Sequence, residues 1–140
     1  MIRKIEYTDF NKGFMDLINT FTRTPNTTSY DEFCNYIDKI RQQNSEIYVI
    51  EEDNKIISTI KIFIEQKLHN NFKTVGHIED LVTHLEYRKR GLARSLLNHA
   101  INECKLYNVY KIILSTNIEN INFYLNNGFK NKGIECCLYV

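Results

Sequence analysis

The first third of the chain alternates between a short apolar run and two stretches of helical spacing. Residues 2–7 predict a strand, and Asp9 is a potential N-cap for a helix whose apolar positions recur every three or four residues. Residues 22–29, which hold the single proline, predict a loop. Ser29 and Glu32 have the spacing of a capping box and predict a second helix. The expected inward positions of the two helices are Phe10, Phe14, Leu17, Ile18, Phe33, Tyr36, Ile37 and Ile40.

The rest of the chain is rich in strand patterns that two helices interrupt. Apolar runs predict the strands 46–51, 55–65, 74–84, 109–114 and 129–140. Asp53-Asn54 predicts a tight turn, and residues 67–72 predict a polar loop. A four-turn amphipathic helix begins at Gly91, and a short helix covers 119–126. The element order β-α-α-β-β-β-α-β-α-β predicts one α/β domain, residues 1–140, around a single mixed, twisted sheet.

Composition and charge narrow the class of protein. Hydrophobic residues make up 43% and charged residues 25%, and the net charge is +1, so no overall field attracts nucleic acid or an anionic membrane. The four cysteines form no C-x-x-C pair and no histidine lies at zinc-ligand spacing; we expect reduced thiols and no metal. The chain shows neither the apolar core of a signal peptide nor a membrane span, which favours a cytoplasmic protein.

Four cations crowd the predicted start of the long helix, namely Arg88, Lys89, Arg90 and Arg94. The helix dipole already leaves partial positive charge there, so these cations are unfavourable unless an anion offsets them. A preceding strand, Gly91 and free helical N–H groups together make a site for a pyrophosphate. The alternative is a solvated basic helix start. The position between a strand and a glycine-opened helix favours the phosphate site.

The residues around this turn resemble a known family. Arg88-x-x-Gly91-x-Ala93 is similar to the R/Q-x-x-G-x-G/A signature of the GNAT acetyltransferases, and residues 120–129 resemble their N-x-x-x-Y-x-x-x-G-F pattern. The resemblance implies the GNAT fold, acetyl-CoA as co-substrate, direct acetyl transfer to an amine, and Tyr124 as proton donor to the leaving thiolate. The cofactor contacts that it implies are Leu81, Val82, Thr83, Arg88, Lys89, Arg90, Gly91, Leu92, Ala93, Arg94, Asn120 and Tyr124.

A second resemblance is narrower. Three segments, 64–67, 76–81 and 110–114, are similar to the glucosamine-6-phosphate N-acetyltransferase branch of the family. This similarity implies glucosamine 6-phosphate as the acceptor, in a step towards UDP-N-acetylglucosamine. The substrate-binding residues that we assign on this basis are Lys67, near the phosphate, Glu79 and Asp80, facing the amino sugar, and Ser115. The chain departs from that branch at its end, because residues 136–140 lack the basic residues that help to hold the phosphate.

Acetyl transfer needs a neutral amine, a polarised carbonyl and a proton donor for the thiolate. Glu79 or Asp80 could take the amine proton, and backbone N–H groups near Leu81 could polarise the carbonyl. Adjacent strand residues point to opposite faces, so both carboxylates reach one site only if a β-bulge redirects one; otherwise one is structural. His77 and His84 lie on the same strand and are weaker candidates for the base.

Several alternatives stay open. The acceptor could be another amino sugar, a polyamine or a protein N-terminus, or the domain could bind acetyl-CoA without catalysis. Asn120 could contact the CoA arm or act as a plain helix cap. An acetyl-cysteine intermediate at Cys136 or Cys137 is disfavoured, because no histidine is placed to activate either thiol. The apolar segment 134–140 would be an unprotected edge strand, so we expect it to pair across a homodimer; the family resemblance implies that this strand is exchanged.

Overall fold

The structure, a computed structural model, describes residues 1–22 and 27–140 of the 140-residue chain. The strands of its sheet are β1 Ile2–Lys4, β2 Ser45–Glu52, β3 Lys55–Gln66, β4 Thr74–Thr83 and β5 Val109–Ile113. The helices are α1 Phe14–Asn19, α2 Tyr30–Gln42, the single turn α3 His69–Phe72, α4 Leu92–Lys105 and α5 Ile121–Leu125, and 3-10 turns cover Tyr7–Lys12 and Leu85–Tyr87. Part of the predicted loop 22–29, residues 23–26, lies outside the described residues.

The sheet is mixed, as the sequence predicts. Its strands lie in chain order, with antiparallel neighbours from β1 to β4 and a parallel β4–β5 pair that α4 connects. β5 pairs only with Thr74–His77, the first part of β4. β5 ends at Ile113, opposite His77, whereas β4 continues to Thr83, so the second half of β4 has no strand partner on the β5 side.

Helices cover both faces of the sheet and bury a core on each. On one face, α4 packs Leu96, Leu97 and Ala100 against the inward isoleucines of β3 and β4. On the other face, α1 and α2 cover a second core that includes Phe33 and Ile37. A side chain at Gly76 would place its Cβ 2.9 Å from the Cys104 sulfur, so glycine at this position permits α4 to lie close against β4.

The local signals at helix ends are mostly confirmed. Ser29 and Glu32 form the predicted capping box. The role of Asp9 differs: it is not the N-cap of α1, because Gly13, with φ +78°, ends the 3-10 turn before α1 begins. Instead the Asp9 carboxylate is buried and accepts a 2.9 Å hydrogen bond from the Glu6 N–H. Tyr36, predicted to face inward, is 41% exposed.

The predicted last strand is wrong for the single chain. Residues 129–140 form no strand in the described structure, and Ile134, Leu138 and Tyr139 are 94%, 87% and 94% exposed. The physical reason is that no strand edge of the same chain pairs with this segment, and an isolated extended segment has no ladder hydrogen bonds. The predicted pairing across a homodimer stays a prediction. None of the helices in the described ranges is long and apolar enough to cross a membrane.

Candidate active site

The basic turn has the backbone geometry of an anion site. Gly91 is the N-cap of α4 in the left-handed region, with φ +78°, and no described atom lies within 4 Å of where a Cβ would stand. Lys89 is also left-handed, with φ +61°. The first N–H groups of α4 have no partner within the helix and point into a cavity of about 310 Å³. The described residues that line it are Thr83, Tyr87, Arg88, Lys89, Gly91, Leu92, Ala93, Arg94 and Phe123.

The four cations of the turn differ in their contacts. Arg90 turns away from the cavity and forms a two-pronged ion pair with Glu52 at 2.7 and 3.0 Å, above the ring of Tyr87. Arg88 uses its Nε to donate to the Thr83 carbonyl at 3.2 Å, and this leaves the rest of its guanidinium available. In the described part of the chain, Arg88, Lys89 and Arg94 form no ion pair. Three uncompensated cations therefore line the cavity.

A β-bulge in β4 places the two acidic residues. Glu79 lies opposite Lys61 and Val82 lies opposite Thr59, so Asp80 and Leu81 together oppose a single residue of β3. Asp80 takes a left-handed backbone conformation, with φ +52°. The extra residue reverses the alternation: Leu81 packs on the α4 side, and Val82 is buried on the α1–α2 side. The sequence requires a β-bulge here if both carboxylates are to share one side of the sheet. The structure contains that bulge.

A second cavity, of about 390 Å³, opens beside Asp80 on the α1–α2 face of the sheet. Its floor is apolar, with Phe14, Phe33 and Ile47, and its polar lining includes Lys61 and Tyr36. Neither residue is among the predicted site residues; Tyr36 is predicted only as an inward position of the second helix. A signal was available for Lys61, which stands between Ile60 and Ile62 in β3 and so points to the face that the N-terminal helices cover.

Tyr124 lies on the opposite side of β4 from the second cavity. Its ring packs in the α4-side core, with ring centroids 5.0 Å from Phe123 and 5.9 Å from Phe129. Burial raises the pKa of its hydroxyl, so the group stays protonated at neutral pH. The hydroxyl makes no hydrogen bond to any described residue. Asn120 is exposed and its side chain does not cap α5; its backbone N–H donates to the side-chain Oδ1 of Asn117 at 3.0 Å.

Two other predicted substrate residues, Lys67 and Ser115, do not line the second cavity. Lys67 pairs with Glu65 at 2.6 Å, and Glu65 also bonds His77 at 2.8 Å. The Lys67 backbone N–H bonds the Lys73 carbonyl at the far end of β4, but the Lys67 amine meets Glu65, whose other contact, His77, lies two strand positions, or ~7 Å, from Glu79. The Ser115 hydroxyl donates to Glu135 of the C-terminal segment. The assignment of Lys67 to the sugar phosphate stays a prediction.

The remaining reactive groups of the described residues are occupied or isolated. His84 lies 3.2 Å from the Lys55 amine. Burial raises the pKa of the Cys104 thiol to about 11, whereas Cys136 and Cys137 are exposed. Among residues 1–22 and 27–140, no three histidine, cysteine or acidic side chains form a group that could hold a metal ion.

A mixed sheet whose fourth strand extends beyond the fifth, beside a glycine-opened helix start lined by unpaired cations, fits the architecture that the GNAT resemblance implies. The chain matches the acetyltransferase (GNAT) family over residues 11–129. The chain therefore belongs to this family and is an acetyl-CoA-dependent N-acetyltransferase, as predicted.

Individual relatives give a more particular similarity. The chain is 36% identical to the glucosamine 6-phosphate N-acetyltransferase of Arabidopsis thaliana, over 99% of this chain and 95% of that protein. The crystal structure of the Arabidopsis enzyme superposes with a TM-score of 0.93 and covers 99% and 97% of the two chains. An acetyltransferase from Clostridium acetobutylicum, solved with acetyl-CoA, shares the fold at 24% identity and a TM-score of 0.76, covering 99% and 95%. The predicted resemblance to this branch of the family is confirmed.

Proposed function

We propose that the chain transfers the acetyl group of acetyl-CoA to the amine of glucosamine 6-phosphate, giving N-acetylglucosamine 6-phosphate. The observation that carries the proposal is the bulge, which directs Asp80 into a cavity next to the strand where GNAT enzymes hold the acetyl group. The name of the Arabidopsis relative supports the choice of acceptor, since the similarity extends over nearly the whole of both chains.

On the acceptor side, Glu79 and Asp80 attract the ammonium form of the amino sugar and orient it. One of the two carboxylates, directly or through water, takes the proton that the amine must lose before its nitrogen can attack. Both side chains are exposed, and Asp80 lines the second cavity, from which the substrate reaches it. Neither residue makes an ion pair with another described side chain.

On the thioester side, backbone N–H groups of β4 near Leu81, beyond the end of β5, polarise the acetyl carbonyl. The amine nitrogen forms a bond to the carbonyl carbon, and the carbon–sulfur bond breaks. Tyr124 gives its proton to the departing sulfur and regains one from solvent. Arg88, Lys89, Arg94 and the N–H groups of Leu92 and Ala93 hold the pyrophosphate at the start of α4.

The test is the release of free CoA from acetyl-CoA with a panel of acceptors: glucosamine 6-phosphate, glucosamine, spermidine and a serine-initiated peptide. We expect the largest kcat/KM with glucosamine 6-phosphate. Turnover of a different amine with none of glucosamine 6-phosphate would reject the proposal. One observation favours this second possibility: residues 133–140 contain no lysine or arginine to hold a phosphate.

We also propose that the exposed segment 134–140 pairs with a second copy of the chain, because its apolar side chains have no cover within one chain. Light scattering of the full chain and of a variant ending at residue 133 measures this: the full chain should be dimeric and the shortened one monomeric. A monomeric full chain would reject the pairing. The cytoplasmic location stays a prediction.

A further inference from the structure

Lys61 occupies an unusual place for a lysine. It lies in the middle of β3, directly opposite Glu79, on the face of the sheet that α1 and α2 cover. Its side chain lines the second cavity together with Asp80. The amine is 3.3 Å from the Tyr36 hydroxyl of α2 and 5.8 Å from the centre of that ring. The side chain therefore extends from the sheet towards α2, along the wall of the cavity.

The charge of Lys61 is not neutralised by the protein. It is the single cation among the described residues that line the cavity, and it makes no ion pair with any described residue. Glu32, which also lines the cavity, is committed to its capping box through 2.8 Å hydrogen bonds from the Ser29 N–H and hydroxyl. Lys67, by contrast, is already paired with Glu65. An accessible ammonium without a carboxylate partner suits an anionic ligand.

The cavity thus has two differently charged sides. Asp80 stands at the β4 side, where the amine of the acceptor belongs, and the Lys61 amine stands at the α2 side beside the Tyr36 hydroxyl. An acceptor with an ammonium at one end and a phosphate monoester at the other is complementary to this arrangement. Residues 133–140 carry no cation, and Lys61 is the cation that the described lining of this cavity offers to a phosphate.

We propose that Lys61, with the Tyr36 hydroxyl as a second donor, binds the phosphate of the acceptor and makes the enzyme prefer a phosphorylated amino sugar. This inference rests on the proposed function. Lys61 binds the phosphate through a charge-assisted hydrogen bond, and Tyr36 donates a neutral one. The pair determines specificity and does not take part in proton transfer.

The kinetic test compares Lys61→Met with Lys105→Met, a matched loss of an exposed lysine at the far end of α4. Lys61→Met should raise KM for glucosamine 6-phosphate by about 10-fold to 100-fold, with little change in kcat, in KM for acetyl-CoA or in kcat/KM for glucosamine. Tyr36→Phe should raise the same KM by about threefold. Lys61→Arg should recover most of the affinity, and Lys105→Met should match the parent. An unchanged preference for the phosphorylated sugar in Lys61→Met would overturn the proposal.

A binding test separates this inference from the proposed function. Glucose 6-phosphate carries the phosphate but no amine to be acetylated, so calorimetric titration detects the phosphate site whatever amine the enzyme uses. We expect the parent protein and Lys105→Met to bind it alike and Lys61→Met to bind at least about tenfold more weakly. No binding to the parent, or equal binding to Lys61→Met, overturns the site. Thermal melting of each variant confirms that it is folded.

Discussion

Two clusters of charged side chains in this protein differ in whether their charges are paired. At the N-terminal side of the sheet, Arg3 and Lys12 face Asp9 and Glu51, with Arg3–Asp9 at 2.7 Å and Lys12–Glu51 at 3.0 Å. Asp9 is fully buried there. At the start of α4, four cations meet one carboxylate, Glu52, which pairs with Arg90 alone. The first cluster has a partner for every charge, and the second has a surplus.

The paired charges at the N-terminal side stabilise the fold, whereas the unpaired cations at the start of α4 remain available to bind an anionic ligand. Buried charges need partners, since an unpaired one costs several kcal/mol. Exposed cations at a helix start tolerate being unpaired, because water solvates them until an anion binds. We therefore expect substitutions in the N-terminal cluster to change stability, and substitutions in the basic turn to change acetyl-CoA binding with the fold intact.

The largest effect should come from closing the anion site. Gly91→Trp places an indole where the pyrophosphate is expected and forces a bulky residue into the left-handed region. We expect no measurable binding of acetyl-CoA by calorimetry. Gly91→Asn is the control, because asparagine tolerates this backbone conformation, and it should keep most of the affinity. Unchanged affinity in Gly91→Trp would mean that the pyrophosphate lies elsewhere.

The next largest effect should be on stability. Asp9→Asn removes the buried carboxylate and leaves Arg3 and Lys12 with one partner, Glu51. We expect the free energy of unfolding, measured by urea denaturation, to fall by about 3 kcal/mol. Glu51→Gln should cost less, since Glu51 is partly exposed. KM for acetyl-CoA should be unchanged in both folded variants, and a change in KM would break the comparison.

The same cluster should make the fold sensitive to acid. Burial by itself opposes ionisation of Asp9, but hydrogen bonds from Arg3 and the Glu6 N–H outweigh it and lower the pKa. Hydrogen bonds from Arg3 and Lys12 lower the pKa of Glu51 as well. A lowered carboxyl pKa adds stability that is complete above the unfolded value, about 4, and is lost as pH falls through the folded value. Unfolding curves below pH 4 should therefore be less pH-dependent in Asp9→Asn than in the parent.

Tyr124 is a neutral group that is half-buried, and its hydroxyl forms no hydrogen bond with the described residues. Tyr124→Phe keeps the ring contacts with Phe123 and Phe129, so stability should hardly change. We expect kcat to fall about 100-fold with little change in acetyl-CoA affinity, because the proton donor is lost. Steady-state kinetics checks this. Equal kcat would remove Tyr124 from the mechanism.

The smallest effect separates two arginines of one turn. Arg94→Gln removes an unpaired cation that lines the cavity and should raise KM for acetyl-CoA by about fivefold at low salt, and by less at high salt. Arg90→Gln removes a cation that Glu52 already neutralises and should change KM by less than about twofold. Initial rates at two ionic strengths distinguish them. Equal increases in KM for the two variants would show that the total positive charge of the turn, and not the position of each cation, determines acetyl-CoA binding.

Much of the fold could be predicted from the sequence because its signals are local. The capping box Ser29–Glu32, the Asp53-Asn54 turn and the amphipathic pattern after Gly91 each act within a few residues of chain. The basic turn belongs to the same class, since a helix start and its first side chains are neighbours in sequence. The Asp9 prediction failed at this level, because a left-handed Gly13 divides the segment into two helical pieces.

The sequence by itself determined the family, the cofactor side and the requirement for a bulge at Glu79-Asp80. Only the tertiary structure assembled the second cavity, because its contacts join residues far apart in the chain. The β3–β4 register creates the bulge, the crossing of α2 brings Tyr36 to Lys61, and the β2–β3 hairpin offers Glu52 to Arg90. Periodicity specifies which face a residue takes, but it does not specify which distant residue shares that face.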